Sequence, residues 1–344
     1  MSAAPSIPSA PPPRLPLVTL YLTERCNSRC VTCDYWRTGR DHLTLAKLEA
    51  LLPSLRNMGT RVALLSGGEP LLNPEWRAIA SALRNAGIER WLLTSGLSLA
   101  KHATTVAALF DAATVSLDGA CAATYQAIRG LDAFDVVCEG IVALARAGLA
   151  PGVRVSVQRA NYREMPHLVR LARRLGARQI SFLAVDVGNP HAFGRDAPFL
   201  DGLALRREDV AELAAVILEM STDLAPEFSS GFIAESPAKL GRLPAYFAAL
   251  NDDGEFPSVR CNAPEFSAVV GVHGALSPCF FIPGPDAPGG VADLEHALDA
   301  GNMRALRDDI RAGRRPECTR CVCSLWRDPR EWPALSVPAG KAPA

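Results

Sequence analysis

LVTLYLTERCNSRCVTCDYW, residues 17–36, is the stretch from which the fold is read. A short β-rich run (17–22) leads directly into Cys26, Cys30 and Cys33, a C-x3-C-x2-C arrangement on what reads as a loop. Thiolates at this spacing can converge on one metal centre. A tetrahedral zinc site needs a fourth protein ligand, for which His42 is a candidate. A four-iron cluster held by three cysteines instead leaves one iron open to a substrate or cofactor.

Working outward, β-rich runs alternate with amphipathic helical stretches, the pattern of repeated βα units and a parallel sheet. Strands are expected at 17–22, 62–66, 90–95, 113–117, 153–158 and 179–185. Helices are expected near 44–57, 75–86, 98–109, 134–147 and 164–175, where apolar residues recur at i, i+3, i+4 and i+7. Gly59, Gly87, Gly148 and Gly176 stand where helix C-termini are expected. Six βα units do not close an eight-fold barrel, but an open six-stranded one gathers its strand C-termini around a single mouth.

After the second strand stands SGGEP (66–70), whose glycines allow close main-chain approach to a ligand. The cysteine loop and this segment together resemble the radical SAM (S-adenosylmethionine) superfamily. That resemblance implies an α/β fold, a partial (β/α)6 TIM-like barrel, with a [4Fe-4S] cluster on Cys26, Cys30 and Cys33. It further implies a SAM amino group beside Gly67, Gly68, Glu69 and Pro70. VSLDGACAATYQAIRGLDAF (115–134) is similar to a family segment in which a strand-end serine meets the SAM carboxylate or ribose. By that match Ser116 and Asp118 are candidates, with Arg129 a further one. Ser156, Gln158 and Asn161 at the end of the fifth strand also face the expected mouth. Many members carry an aromatic residue just before the third cysteine, where this chain has Thr32. Tyr35 or Trp36, just beyond, then becomes the candidate to cover the adenine.

Beyond 186 the βα rhythm stops. Residues 187–260 read as a connecting insert over the barrel mouth, with helical patterns near 206–220 and 237–250. Residues 261–282 resemble a β-hairpin with its turn at His273 and Gly274, and short helices near 291–300 and 302–312 follow. Cys261, Cys279, Cys318, Cys321 and Cys323 give C-x17-C and, after thirty-eight residues, C-x2-C-x-C. Four thiolates so placed can hold either a second iron–sulfur cluster or a structural zinc. Residues 261–336 are similar to the SPASM and shorter Twitch auxiliary domains, whose opening C-x12-G-x4-C is matched by Cys261, Gly274 and Cys279. The likeness implies one auxiliary [4Fe-4S] cluster on Cys261, Cys279, Cys318 and Cys321. Cys323 is left as a substitute ligand, a packing residue, a substrate contact or a hydrogen donor.

The chain is expected to divide into a Pro-rich disordered tail (1–16), a core barrel (17–186), the insert (187–260), the auxiliary domain (261–336) and a tail (337–344). With 344 residues, 49% of them apolar, it can bury a large core. Its 36 basic residues balance 36 acidic ones, so no overall field draws nucleic acid or an anionic membrane, and methyl transfer to nucleic acid lacks a basic footprint. Without an apolar run of membrane length or a signal peptide, a cytoplasmic location is expected, and ten cysteines there point to metal ligation over disulfides. Cys121 and Cys138, alone in helical patterns, read as small buried hydrophobes.

The resemblance implies an oxidoreductase or maturase that cleaves SAM to a 5′-deoxyadenosyl radical and abstracts hydrogen from a peptide or small-molecule substrate. Electrons would come from a donor such as flavodoxin or ferredoxin. A redox-neutral epimerase and a non-catalytic zinc-structured binding protein are the alternatives.

Overall fold

In the computed structural model, residues 15–193, 195, 202–285, 293–323 and 325–335 are described. Six of the seven parallel strands of the sheet are β1 (Leu17–Thr23), β2 (Val62–Gly67), β3 (Glu89–Thr94), β4 (Ala112–Ser116), β5 (Gly152–Val157) and β6 (Gln179–Ala184). All lie within two residues of their expected positions. Burial alternates along β3, β4 and β5, while β1, β2 and β6 carry the nearly continuous burial of strands covered on both faces. In β5, Val153, Val155 and Val157 are buried, while Arg154 and Ser156 point to the opposite, half-open face. Helices Leu45–Asn57, Trp76–Asn85, Leu99–Leu109, Phe134–Arg146 and Met165–Arg174 connect them, burying among others Trp76, Ile79, Leu83 and Val106 against the sheet.

The sheet does not close. Its order is β6-β5-β4-β3-β2-β1-β7-β8, with β7 (Ser267–Val270) parallel to β1 and β8 (Leu276–Ser277) antiparallel to β7. The expected C-terminal hairpin is therefore real but short, and its first strand continues the barrel sheet, with Leu17 opposite Ser267 and Leu20 opposite Val270. Its connection runs from Gly271 to Ala275, whose carbonyl accepts from the Gly271 N–H, and Gly274 has a positive φ of 87°. Sequence periodicity shows that a strand exists there, but its partner is chosen by the distant apolar surface of β1.

The helix Ala122–Arg129 was not anticipated, because only two of its side chains, Tyr125 and Ile128, are buried and its periodic signal is weak. The expected helix near 237–250 is broken at Gly241 into Pro237–Leu240 and Arg242–Leu250. Residues 1–14 and 336–344, including most of both expected tails, lie outside the described residues. Leu15 belongs to the core instead, only 2% exposed, with its N–H donating to the Met58 carbonyl. Cys121 is exposed at the N-cap of Ala122–Arg129, not buried as expected, because the cap position faces away from the sheet. Cys138 is half-buried.

The insert packs against both ends of the sheet. Ile233 bridges Ile180 of β6 and so covers what would otherwise be an open edge. Nearer the mouth, Asp186 accepts from the N–H groups of Gly188 and Asn189, and Asn189 donates to the Phe281 carbonyl (2.6 Å). The Phe193 carbonyl accepts from Asp34 N–H of the cysteine loop. The described part of the insert thus touches both cysteine-bearing segments. Among the described residues, no helix is long and apolar enough to cross a membrane.

Phe266, fully buried just before β7, packs its ring 5.6 Å from that of Trp332. Phe266→Ala is expected to cost about 3–5 kcal/mol in urea unfolding. A loss below about 1 kcal/mol would show that the C-terminal segment does not share the main core.

Candidate active site

The C-terminal ends of the parallel strands converge on the loop that carries Cys26, Cys30 and Cys33. That loop is tied to the end of helix Ala122–Arg129. Arg29 N–H donates to the Arg129 carbonyl and Val31 N–H to the Ile128 carbonyl, satisfying carbonyls that a helix C-terminus leaves without partners. The Ser28 hydroxyl donates to the Arg129 carbonyl and also touches Cys30 Sγ at 3.2 Å. Arg129 Nη1 donates to the same sulfur at 3.3 Å, and Arg129 Nη2 pairs with Asp118 Oδ2 at 2.7 Å. Burial works against the charge on Arg129, yet Asp118 and Cys30 more than offset it and raise its pKa. Burial likewise pushes Asp118 up from the ordinary carboxylate value, opposed by Arg129 and by the Ser156 N–H it accepts.

The SGGEP turn packs against the same loop. A Cβ on Gly67 would stand 2.5 Å from the Thr23 carbonyl oxygen, and one on Gly68 would stand 2.2 Å from that of Arg25. Gly68 and Glu69 N–H donate to these two carbonyls at 2.7 and 2.8 Å. The close approach served by the glycines is thus first of all that of two backbone segments. Pro70 opens the short 3-10 turn that follows. Glu69 is fully buried, and its carboxylate accepts from Leu71 N–H, the Thr94 hydroxyl, and both the N–H and hydroxyl of Ser95. Burial raises its pKa while these four donors oppose the shift.

Other candidates divide by whether their polar atoms are committed. Asn161 is occupied by the Asp118 and Ser156 carbonyls and by Gln158 N–H. Among the described residues the Ser116 and Ser156 hydroxyls make no hydrogen bond, and both are half-buried at the strand ends. Gln158 is buried with its Nε2 unpartnered. Tyr35 sits edge-on to Tyr21 (5.8 Å between ring centroids), which in turn lies 6.4 Å from Phe280. Trp36 and Cys26 line one opening beside the loop.

Cys261, Cys279, Cys318, Cys321 and Cys323 all line a cavity of about 440 Å³ that also reaches Leu17 and Thr19 of β1. Asn262 positions them. Its side chain donates to the Arg327 carbonyl and accepts from Arg327 N–H, while its own N–H donates to the Leu325 carbonyl, joining the two ends of the cysteine segment. Desolvation pushes the thiols up: Cys26 to about 11, Cys33 and Cys279 to about 12, with Cys318, Cys321 and Cys323 also raised. Buried thiols of this kind become ligands when a metal cation displaces their protons, which are released to solvent. Among the described residues, each set of three cysteine sulfurs includes a separation above 4.8 Å. His42 forms a bridge opposite Thr23 and is not grouped with the cysteines.

A family signature described as "Radical SAM superfamily" matches residues 20–181. Residues 20–181 are a radical SAM domain. Radical SAM domains use a [4Fe-4S] cluster and SAM, and the C-terminal cysteines fit an auxiliary cluster. Over 170 residues the chain is 32% identical to a probable GTP 3′,8-cyclase of Saccharolobus solfataricus, covering 48% of this chain and 55% of that protein. It is 33% identical over 168 residues to mycofactocin maturase MftC of Mycobacterium tuberculosis, covering 46% and 42%. The chain therefore spans about half the length of the curated relatives it matches. In fold it resembles Streptococcus suis SuiB bound to precursor peptide SuiA, with a TM-score of 0.64 and 15% identity over 86% of this chain and 67% of that one. It also resembles anSMEcpe with bound AdoMet and a Cp18Cys peptide, with a TM-score of 0.63 and 17% identity over 85% and 82%.

Sequence reasoning missed Ser28, Ser95, Asn262 and Gly130. A Cβ on Gly130 would stand 2.3 Å from the Arg29 carbonyl oxygen. The strand-end position of Ser95 was the only signal that could have found it. Arg129→Met leaves Asp118 buried without its cation and is expected to cost about 3–5 kcal/mol in denaturant unfolding. The double change with Asp118→Asn should recover part of that loss, and purely additive losses would argue against the pair.

Proposed function

We propose that this chain is a radical SAM maturase acting oxidatively on a peptide, with Cys26, Cys30 and Cys33 holding the SAM cluster and Cys261, Cys279, Cys318 and Cys321 holding a second one. The observation that carries the reading is the second cysteine set, gathered around one cavity beneath β1, the same strand whose end carries the first set. Relatives solved with a precursor peptide or a Cp18Cys peptide, together with mycofactocin maturase, favour a peptide over a small molecule.

When bound, the SAM cluster and SAM supply a 5′-deoxyadenosyl radical able to take a hydrogen atom from substrate. The chain's own residues position and shield. Arg129 and Ser28 hold the Cys30 sulfur in place. Gly67, Gly68 and Pro70 bring main chain to the SAM amino group, with Glu69 bracing that turn. Ser116 and Ser156 offer uncommitted hydroxyls to the SAM carboxylate and ribose. Asp118 and Asn161 act by holding the strand ends around them. Tyr35 covers the adenine. The insert, tied across to Phe281 and Asp34, limits water at the mouth. Cys323 is spare, and an external carrier such as flavodoxin or ferredoxin supplies electrons.

Iron and sulfide analysis after anaerobic reconstitution tests the assignment. About eight irons are expected in the native chain and about four in the Cys26→Ala/Cys30→Ala/Cys33→Ala variant. No iron in that variant, with stoichiometric zinc instead, would sink the two-cluster mechanism. Cys321→Ala should remove the second cluster from this background, and Cys323→Ala should leave about four irons in place.

A further inference from the structure

The first cysteine loop carries an exposed cation cluster that the proposed chemistry does not use. Arg25, Arg29, Arg37 and Arg40 are all exposed. Arg37 pairs with Asp34 at 2.6 Å, whereas Arg25, Arg29 and Arg40 have no carboxylate within ion-pair distance among the described residues. The opening beside them, about 560 Å³, is lined by Cys26, Asn27, Arg29, Trp36, Arg37 and Arg40, without a carboxylate. Besides Asp34, the acidic groups flanking the loop, Glu24 and Asp41, lie towards His273, whose Nε2 is 3.9 and 3.2 Å from their oxygens. Glu24 also accepts from the N–H groups of Arg40 and Asp41.

We infer that this face is the docking surface for a small acidic electron-carrier protein. The chain as a whole has no net charge, so attraction of an acidic partner has to come from a local patch, and this one surrounds a proposed cluster ligand. Three unpaired guanidiniums on a wide surface opening suit several carboxylates of a protein face, and Arg25 extends the patch beyond the opening itself. On this reading electrons enter past Cys26, through the opening that these arginines line. In the transfer one electron would pass from the reduced carrier to a cluster held by Cys26, Cys30 and Cys33, the carrier being oxidised and the cluster reduced by one electron each. No bond forms or breaks. The inference rests on the proposed ligation by these three cysteines.

The test is a titration of the reconstituted protein with an acidic flavodoxin, read by its flavin fluorescence, alongside SAM cleavage driven either by the reduced flavodoxin or by dithionite. Binding should weaken about tenfold or more between roughly 20 and 200 mM salt. Arg29→Glu/Arg40→Glu should weaken it at least as much and slow flavodoxin-driven cleavage by a larger factor than dithionite-driven cleavage. The milder Arg29→Gln/Arg40→Gln should fall between. Arg146→Glu/Arg170→Glu, a charge-matched change at exposed positions on other helices, should leave binding as it is. Equal binding by native and charge-reversed chains, an equal loss in the control, or no flavodoxin binding at all would overturn the inference. Absence of SAM cleavage with dithionite in the native chain would count against the cluster assignment instead, since binding is read without turnover.

Discussion

The guanidinium of Arg129 joins the parts on which the site depends. A buried cation is tolerated only with anionic or strongly accepting partners, and here these are the Asp118 carboxylate at the end of β4 and the Cys30 sulfur of the first loop. The same residue's carbonyl, with that of Ile128, takes the N–H groups of Arg29 and Val31. A helix C-terminus that would otherwise expose its last carbonyls is thus finished by the cysteine loop, and the loop acquires a fixed shape in return. Gly130, in the left-handed conformation (φ 70°), lets the two backbones meet.

A second junction sets the depth of the mouth. Gly67 and Gly68 press the turn after β2 onto Thr23 and Arg25, and Glu69 reaches from that turn to Thr94 and Ser95 after β3. Three consecutive strand ends are locked by one carboxylate and two missing Cβ atoms. Polar residues that look like ligands by type, Glu69, Asp118 and Asn161, spend their hydrogen bonds on this scaffold. That leaves Ser116 and Ser156 as the free hydroxyls at the rim.

The remaining cysteines are placed by sheet extension. Because β7 adds to the free edge of β1, the second thiol set is brought beneath the strand that ends in the first, and the edge is covered in the same step. Asn262 then fixes the spacing between Cys261 and the segment beyond Cys323.

Much of this was legible beforehand. Short apolar runs, alternating in β3, β4 and β5 and nearly continuous in β1, β2 and β6, gave six of the seven parallel strands, and the C-x3-C-x2-C spacing with SGGEP gave the family, because local pattern alone controls both. The helix Ala122–Arg129 escaped because it buries too little to leave a period, and the roles of Asp118, Asn161 and Arg129 escaped because residue type does not reveal whether a polar group faces a ligand or a neighbouring backbone. The sequence by itself determined the βα order and which residues can bind metal. Only the tertiary structure decided that β7 pairs with β1, that five distant cysteines share one cavity, and which carboxylates are consumed internally. Those outcomes depend on contacts between residues tens to hundreds of positions apart, and local periodicity carries no information about them.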